Sequence, residues 1–279
     1  MTTTNDTLQE IEELQQRCEQ YEGISLKLNW DMLRRKPEEG GAEWLVTYED
    51  ERLVGFIGLY GITSDLEVCG MVRPGFRRRG IFTGLWKRAL TIIERSKPGT
   101  VLLNAPANSA SAAAFLKTLP LAFNHSEFQM KWNGILPDAG ALRSDVVLRP
   151  ASPEEIPFMI RMDCEGFGDS EEHAAALYAL HLSGTDEEYI LIESAGNPAG
   201  KLRLSTEDKE TWIYGFVVDS QLRGRGIGRS ALLQTIEREH RNGNSVHLEV
   251  ALDNPNALKL YESCGFAVQG QQDYYRYTG

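Results

Sequence analysis

Arg223-Gly224-Arg225-Gly226-Ile227-Gly228 is followed, 26 residues after Gly228, by Asn254-Pro255-Asn256-Ala257-Leu258-Lys259-Leu260-Tyr261. The first stretch has the composition of a loop that wraps a diphosphate. Phosphate oxygens must come close to the main chain, and glycines at 224, 226 and 228 remove side chains that would stand in the way. N–H groups at the start of a following helix then supply donors and the positive end of a dipole. Arg223, Arg225 and Arg229 crowd the same turn, where the dipole disfavours cations unless an anion is meant to sit there. Solvated arginines at a helix start are the plainer alternative. The spacing is G-x-G-x-G, not the G-x-G-x-x-G of a dinucleotide fold, and no Gly-Lys-Ser/Thr P-loop occurs. The second stretch ends in a phenol. With a pKa of about 10, it can donate to, or hydrogen-bond, a thiolate leaving group whose thiol pKa is about 8.5.

Regular elements have to hold these groups. Residues 212–218, rich in aromatic and β-branched side chains, read as the strand that feeds the loop. Leu232, Leu233 and Ile236 fall on one face of the helix after it. Residues 246–252 read as the next strand, in which His247, Glu249 and Ala251 share one face and Val246, Leu248 and Val250 the other. Residues 255–264 form a short helix ended by Gly265, and residues 266–277 pair as a final strand or hairpin. Ahead of the loop, strands are expected at 146–149, 189–194 and 200–206, with helices at 153–165 and 171–182.

A fainter copy of the same plan lies earlier in the chain. Gly80, in Arg77-Arg78-Arg79-Gly80-Ile81-Phe82, stands 146 positions before Gly226, and Asn108 stands 146 positions before Asn254. One shift at two separated motifs means no net insertion between them. Strands at 44–48, 54–60, 66–72 and 101–103 and helices at 84–95 and 109–119 repeat the order. The start differs: residues 8–21 read as a helix with no strand ahead of it, so this half either lacks an edge strand or borrows one. At the same shift Tyr261 corresponds to Phe115, Glu249 to Leu103 and Gly228 to Phe82. Both proton-handling groups are apolar in the first half, although its anion loop could survive. Glu67 is a weaker candidate for a relocated base.

Length and composition agree with two domains. A chain of 279 residues with 42% hydrophobic and 25% charged residues can build two cores of about 140 residues each. The expected domains are 1-136 and 146-279, joined near 134–145, where Pro137 and Gly140 interrupt the apolar pattern. A net charge of −11 argues against a general nucleic-acid binder. No apolar run reaches the roughly 18 to 20 residues of a membrane span, and residues 1–20 lack a signal-peptide layout. Cys18, Cys69, Cys164 and Cys264 are scattered and are expected to be reduced thiols of a cytoplasmic protein. No set of residues has metal-ligand spacing. His247 is a weak candidate for a catalytic group or ligand, and His173 and His181 read as partly exposed helix residues.

The motifs resemble those of the GNAT superfamily of N-acetyltransferases. Arg223-x-x-Gly226-x-Gly228 matches that superfamily's Arg/Gln-x-x-Gly-x-Gly/Ala pattern, and Leu248-Glu249-Val250 through Asn254, Tyr261 and Gly265-Phe266 resembles the segment found in ribosomal-protein alanine acetyltransferases. The tandem arrangement resembles that of the mycothiol synthases. The resemblance implies an α/β (α+β) fold of two tandem GNAT-like domains, each a mixed, mostly antiparallel twisted sheet flanked by helices. It implies acetyl-CoA as co-substrate, with no metal. Backbone groups of Phe216, Val217 and Val218 would hold the thioester carbonyl and the pantetheine arm. Arg223, Gly224, Arg225, Gly226, Ile227, Gly228 and Arg229 would hold the diphosphate, and Asn254 would touch the cofactor. Tyr261 would be the general acid.

Acetyl transfer needs an uncharged amine, and a lysine-like amine has a pKa of about 10.4, so a base or a water chain must take a proton. Glu249, 12 residues before Tyr261, is the favoured base, and the same spacing occurs in the alanine acetyltransferases. A sheet-edge or salt-bridged glutamate, and a Tyr261 that is merely a core aromatic, remain the alternatives. Two functions stand open. One is an N-acetyltransferase working through its C-terminal half on a primary amine of a small molecule or peptide, as a monomer or homodimer, with no nucleic-acid or membrane partner. The other is a non-catalytic acyl-CoA-binding or interaction module.

Overall fold

In the computed structural model, which describes residues 4–35, 41–61, 65–136, 142–181 and 187–279, the patterns above become mixed sheets covered by helices. The chain opens with α1 (Thr4–Glu22) and α2 (Trp30–Arg34), then β1 (Glu43–Glu49), β2 (Arg52–Tyr60) and β3 (Asp65–Val72). Next come α3 (Ile81–Ser96), β4 (Thr100–Pro106), α4 (Ala110–Leu116) and β5 (Leu121–Trp132). The second series is β6 (Val146–Pro150), α5 (Ile156–Phe167), α6 (Glu171–His181), β7 (Glu187–Ser194), β8 (Asn197–Glu207) and β9 (Glu210–Val218). It ends with α7 (Ile227–Arg241), β10 (Ser245–Ala251), α8 (Pro255–Ser263) and β11 (Phe266–Tyr277). No helix among the described residues is long and apolar enough to cross a membrane.

Two compact units result, Met1–Glu127 with Gly270–Gly279, and Phe128–Gln269. In the first, the strand order is β1-β2-β3-β4-β11-β5, counting only those parts of β5 and β11 that belong to it. β2 is buried along nearly its whole length because it is covered on both faces. On one side Phe56 packs with Ile11, Leu14 and Leu33 of α1 and α2; on the other Ile57 and Leu59 pack with Leu85, Trp86, Ala89 and Ile93 of α3.

This unit borrows its strand from the far end of the chain. Gln272 to Arg276 of β11 pair antiparallel with Pro106 to Leu102 of β4. The expected tail is thus a single strand and no hairpin, and its last residues complete the first unit. Contiguous halves 1-136 and 146-279 differ from the packed units in this respect. The proposed joint residues Pro137 and Gly140, and Leu182 at the end of the expected helix, lie outside the described residues, as does the side chain of His181. β5 was not expected from sequence.

In the second unit β10-β9-β8-β7-β6 follow the second part of β5. All neighbouring pairs from β6 to β9 are antiparallel, while β9 and β10 run parallel. Its core joins Leu202, Leu204 and Ile213 of the sheet to Ile227, Leu232, Leu233 and Ile236 of α7. That helix face is the one read from its apolar spacing. All four cysteines are free, with Cys18, Cys69 and Cys264 buried.

Candidate active site

β9 and β10 pair from Glu210 with Ser245 to Ile213 with Leu248 and then part. Past Ile213, the β10 side of β9 has no strand partner among the described residues, so main-chain groups line a crevice. β9 also carries a bulge there. Val217 pairs with Lys201 and Tyr214 with Arg203, so Gly215 and Phe216 together oppose the single residue Leu202. Gly215 has φ +54°, a left-handed conformation that a glycine adopts without strain. The bulge lies in the strand whose main chain was expected to hold a thioester carbonyl. Nothing in the apolar pattern marked it, and Gly215 was its only signal.

The glycine loop leaves the end of this strand. Two of its glycines hold left-handed turns: Gly224 has φ +75° and Gly226 φ +78°, and a Cβ on Gly224 would meet no protein atom within 4 Å. Gly226 is the N-cap of α7 and contributes no side-chain cap, so the helix's first amides face outward without a protein carboxylate or hydroxyl from the cap residue. Gly228 is the packing glycine; a Cβ on it would lie 3.5 Å from both Phe216 Cζ and Val218 Cγ2, and 3.6 Å from Leu260 Cδ2.

The arginines hold the loop in shape. Arg223 Nε donates to the carbonyl of Val218 at 2.9 Å, and Arg225 donates to the carbonyl of Gln221 at 3.2 Å. Arg229 donates to Ser263 Oγ at 2.6 Å and to its carbonyl at 3.0 Å, linking α7 to α8. Each still leaves guanidinium N–H groups to attract an anion. Asn254 caps α8, its Oδ1 accepting from the amide of Ala257 at 3.1 Å.

Tyr261 is 7% exposed, between Phe216 at 6.4 Å and Phe266 at 6.1 Å between ring centroids. Its hydroxyl makes no hydrogen bond among the described residues, and burial pushes its pKa up to about 12. The phenol therefore stays protonated throughout the ordinary pH range. Glu249 is half-buried on the same strand face as His247, as alternation required, with Val246, Leu248 and Val250 buried on the other. Gln129 of β5 donates to Glu249 Oε1 at 3.2 Å, a contact no sequence signal announced. His247 stacks on Trp212 at 5.0 Å and contacts Ser245 Oγ at 2.8 Å, and burial lowers its pKa. Among the described residues no cluster of His, Cys, Asp or Glu could hold a metal ion.

The first unit repeats the loop almost angle for angle. Gly80 has φ 80° and ψ 2°, against 78° and 3° at Gly226. Arg78 holds φ +65° where Gly224 has +75°. Arg77 Nε donates to the carbonyl of Val72 at 2.9 Å and Arg79 to that of Gly75 at 2.9 Å, matching Arg223 and Arg225. β3 and β4 likewise pair from Asp65 with Thr100 to Val68 with Leu103 before parting. What the first unit lacks is the bulge, since β2 and β3 stay in register from Gly55 with Val72 to Tyr60 with Glu67.

A cavity of about 720 Å³ opens in the first unit, walled by Leu103 and Phe115, the apolar replacements for Glu249 and Tyr261. Its volume suits a small molecule, and Cys18, Tyr21 and Glu22 of α1 are among the residues that line it. Glu22 of α1 accepts from Ser109 Oγ and Ser111 Oγ there and pairs with Arg77 at 3.2 Å. Glu67 accepts from Asn104.

Comparison with known proteins agrees with this geometry. The model of the "Acetyltransferase (GNAT) family" matches residues 6–119 and again 156–266. The N-alpha-acetyltransferase RimI of Mycobacterium tuberculosis is 31% identical over 123 residues, 42% of this chain and 77% of that protein. The mycothiol acetyltransferase of Brachybacterium faecium is 27% identical over 246 residues, 82% of this chain and 72% of that one. Among solved structures, a tandem GNAT protein from the clavulanic acid biosynthesis pathway superposes with a TM-score of 0.70 at 17% identity, covering 98% of this chain and 94% of its own. With two copies of the loop, the parted parallel strands and two matches to one family model, the chain belongs to the GNAT family and is an acetyl-CoA-dependent acyltransferase of tandem form.

Proposed function

We propose that the second unit carries out the chemistry, transferring the acetyl group of acetyl-CoA to a primary amine of a small molecule or peptide by direct attack. The observation that carries this reading is the asymmetry of two otherwise matching crevices: the bulge, Tyr261 and Glu249 belong to one, and a straight strand, Phe115 and Leu103 to the other. A unit that only bound coenzyme would need none of the first three.

In this reading the turn at Gly224 to Gly226 and the first amides of α7 take the diphosphate, and Phe216, Val217 and Val218 take the pantetheine arm and thioester. The amine nitrogen attacks the carbonyl carbon, and the N–C bond forms as the carbonyl oxygen gains charge. A bulge amide donates to that oxygen; losing one such donor in other enzymes costs roughly 2.7 to 4 kcal/mol. Glu249, directly or through water, takes the proton the amine loses. The C–S bond then breaks, leaving the amide and the coenzyme thiolate.

Tyr261 meets that thiolate as a hydrogen-bond donor. With the phenol at about 12 and a thiol at about 8.5, complete proton transfer would run uphill by roughly 5 kcal/mol. The hydroxyl therefore steadies the sulfur while the final proton comes from the medium.

The relative that covers 82% of the chain is named a mycothiol acetyltransferase, whereas the RimI relative covers 42% of it. Small amines therefore come first among acceptors to test. Thiol release from acetyl-CoA in the presence of aminoglycosides, polyamines, cysteinyl amines and N-terminal peptides tests the reading. Undiminished turnover in Tyr261→Phe and in Glu249→Gln would remove the second unit as its seat.

A further inference from the structure

Beneath the bulge, on the face away from α7, the second unit buries a charge that the mechanism above does not use. Lys201 of β8 is 4% exposed. Its ammonium pairs with Asp163 of α5, whose other oxygen accepts from Tyr178 of α6 at 2.7 Å. Aromatic rings of Phe167 and Tyr178 stand 5.8 Å from the nitrogen. Burying a lysine is costly unless its charge is paired and hydrogen-bonded, a requirement that Asp163 meets. Burial pulls its pKa down and Asp163 pulls it back up.

Lys201 also touches the bulge. A methyl group on Gly215 would lie 3.0 Å from Lys201 Nζ and 4.0 Å from Asp163 Oδ1, so the ammonium rests on the α-carbon of the bulge residue. Lys201 is also the β8 residue that pairs with Val217, at the edge of the register shift. One turn along α5, Gly166 lets the helix press on the same strand, where a Cβ would come within 2.7 Å of Val217 Cγ2. Bulge, ion pair and helix form one packed unit.

We propose that Lys201, held by Asp163, is a positioning residue for acetyl transfer: it clamps the Gly215 bulge so that the amides of Phe216 and Val217 keep the aim that polarises the thioester carbonyl. This rests on the second unit being the seat of transfer. In the first unit, where the strand is straight, the position 146 residues earlier is Gly55, with no ammonium to clamp anything.

The first measurement needs no acceptor. Carbonyl-labelled (¹³C) acetyl-CoA is bound to the full chain, and the thioester stretch is read by difference infrared spectroscopy alongside calorimetric affinity and thermal melting. Wild type should show the stretch moved to lower frequency than in free acetyl-CoA. Lys201→Met leaves a buried carboxylate unpaired, so the double variant Lys201→Met with Asp163→Asn, neutral and close in shape, is measured beside it. In the double variant we expect melting within a few degrees of wild type, acetyl-CoA affinity within about threefold, and at least half of the carbonyl shift lost. With the best acceptor amine of the panel above, kcat should fall about tenfold or more at nearly constant KM for acetyl-CoA. A full carbonyl shift and full kcat in the double variant would overturn the proposal, as would loss of affinity in step with the shift. Gly226→Glu serves as the separate control: an unchanged carbonyl shift there would mean that the second unit does not hold the thioester at all.

Discussion

Phe216 lies over Gly228, its Cζ 3.5 Å from where a Cβ on that glycine would be, and in the first unit the same two places are filled in reverse. There the strand residue is Gly70 and the helix residue Phe82, whose ring would come within 2.7 Å of a Cβ on the glycine. One aromatic ring per unit fills the space between strand and helix, delivered from opposite sides. In each case the ring meets the residue at the end of the second motif, Phe82 against Phe115 at 4.7 Å and Phe216 against Tyr261 at 6.4 Å.

The two glycines should therefore tolerate change unequally. Gly70→Ala would set a Cβ 2.6 Å from the Phe56 carbonyl oxygen of β2 as well as 2.7 Å from the Phe82 ring, so strand and ring must both give, and the change should cost about 1 to 3 kcal/mol or more, as overpacking does. Gly228→Ala meets ordinary van der Waals contacts, and in a helix alanine is favoured over glycine by up to about 1 kcal/mol. Thermal or urea melts of the two variants should fall on opposite sides of wild type. Gly228→Phe should destabilise strongly, and adding Phe216→Gly should recover much of the loss, a coupling that a double-variant cycle measures.

Coenzyme binding should depend on the turn at Gly226. Its φ of +78° is strained for any residue with a Cβ, and it sits at the positive end of α7. Gly226→Glu adds strain and a negative charge where the diphosphate should lie. We expect CoA affinity by calorimetry to fall by at least about 100-fold, with turnover lost in parallel. Gly80→Glu should leave turnover intact if the first unit has no part in the chemistry.

Under the proposed role of its hydroxyl at the departing sulfur, Tyr261→Phe should lower kcat about 10- to 100-fold with little change in the KM for acetyl-CoA. The pH profile carries a second signature. The phenol is needed protonated, and burial holds its pKa near 12, so the wild-type rate should show no alkaline limb from this group below about pH 11. Stability follows the same sign. A pKa raised from 10 to about 12 gives a contribution that is full below pH 10 and is lost as pH rises through 12, at most about 3 kcal/mol. Tyr261→Phe should flatten that alkaline loss in denaturant melts.

Much of this was legible because local rules fix it. Alternation put Glu249 on one face of β10, apolar spacing found the buried face of α7, and a constant shift of 146 paired the two loops before any coordinates. Relationships set by partners rather than by local pattern were not legible. Residues 266–277 were legible as a final strand or hairpin, but not the pairing of Gln272 to Arg276 with β4. The bulge is a mismatch between two strands, so neither strand announces it alone. Lys201 and Asp163 are 38 residues apart, and each by itself reads as an ordinary charged residue. At Gly224 and Gly226 the left-handed backbone angle is a further reason for glycine, one that the spacing alone did not announce.

Truncation after Gln269 tests the borrowed strand. The last ten residues pair β11 with β4 and set Tyr277 edge-on to Trp86 at 5.3 Å. Tyr274 accepts from Lys27 at 2.7 Å, Gln272 donates to the carbonyl of Ser25 at 2.8 Å, and Asp273 accepts from Ser126 Oγ at 2.6 Å. Without them β4 keeps a newly opened edge beside buried Val101, Leu103 and Ala105, and an open apolar edge is prone to pair with other chains. Hydrogen exchange should accelerate in β2, β3 and β4 while α7 and β10, whose core lies in the other unit, keep their protection. The truncated chain should also self-associate at lower concentration than the intact one. Unchanged exchange in β4 would mean that β3 alone holds that strand, and that β11 caps a unit already stable without it.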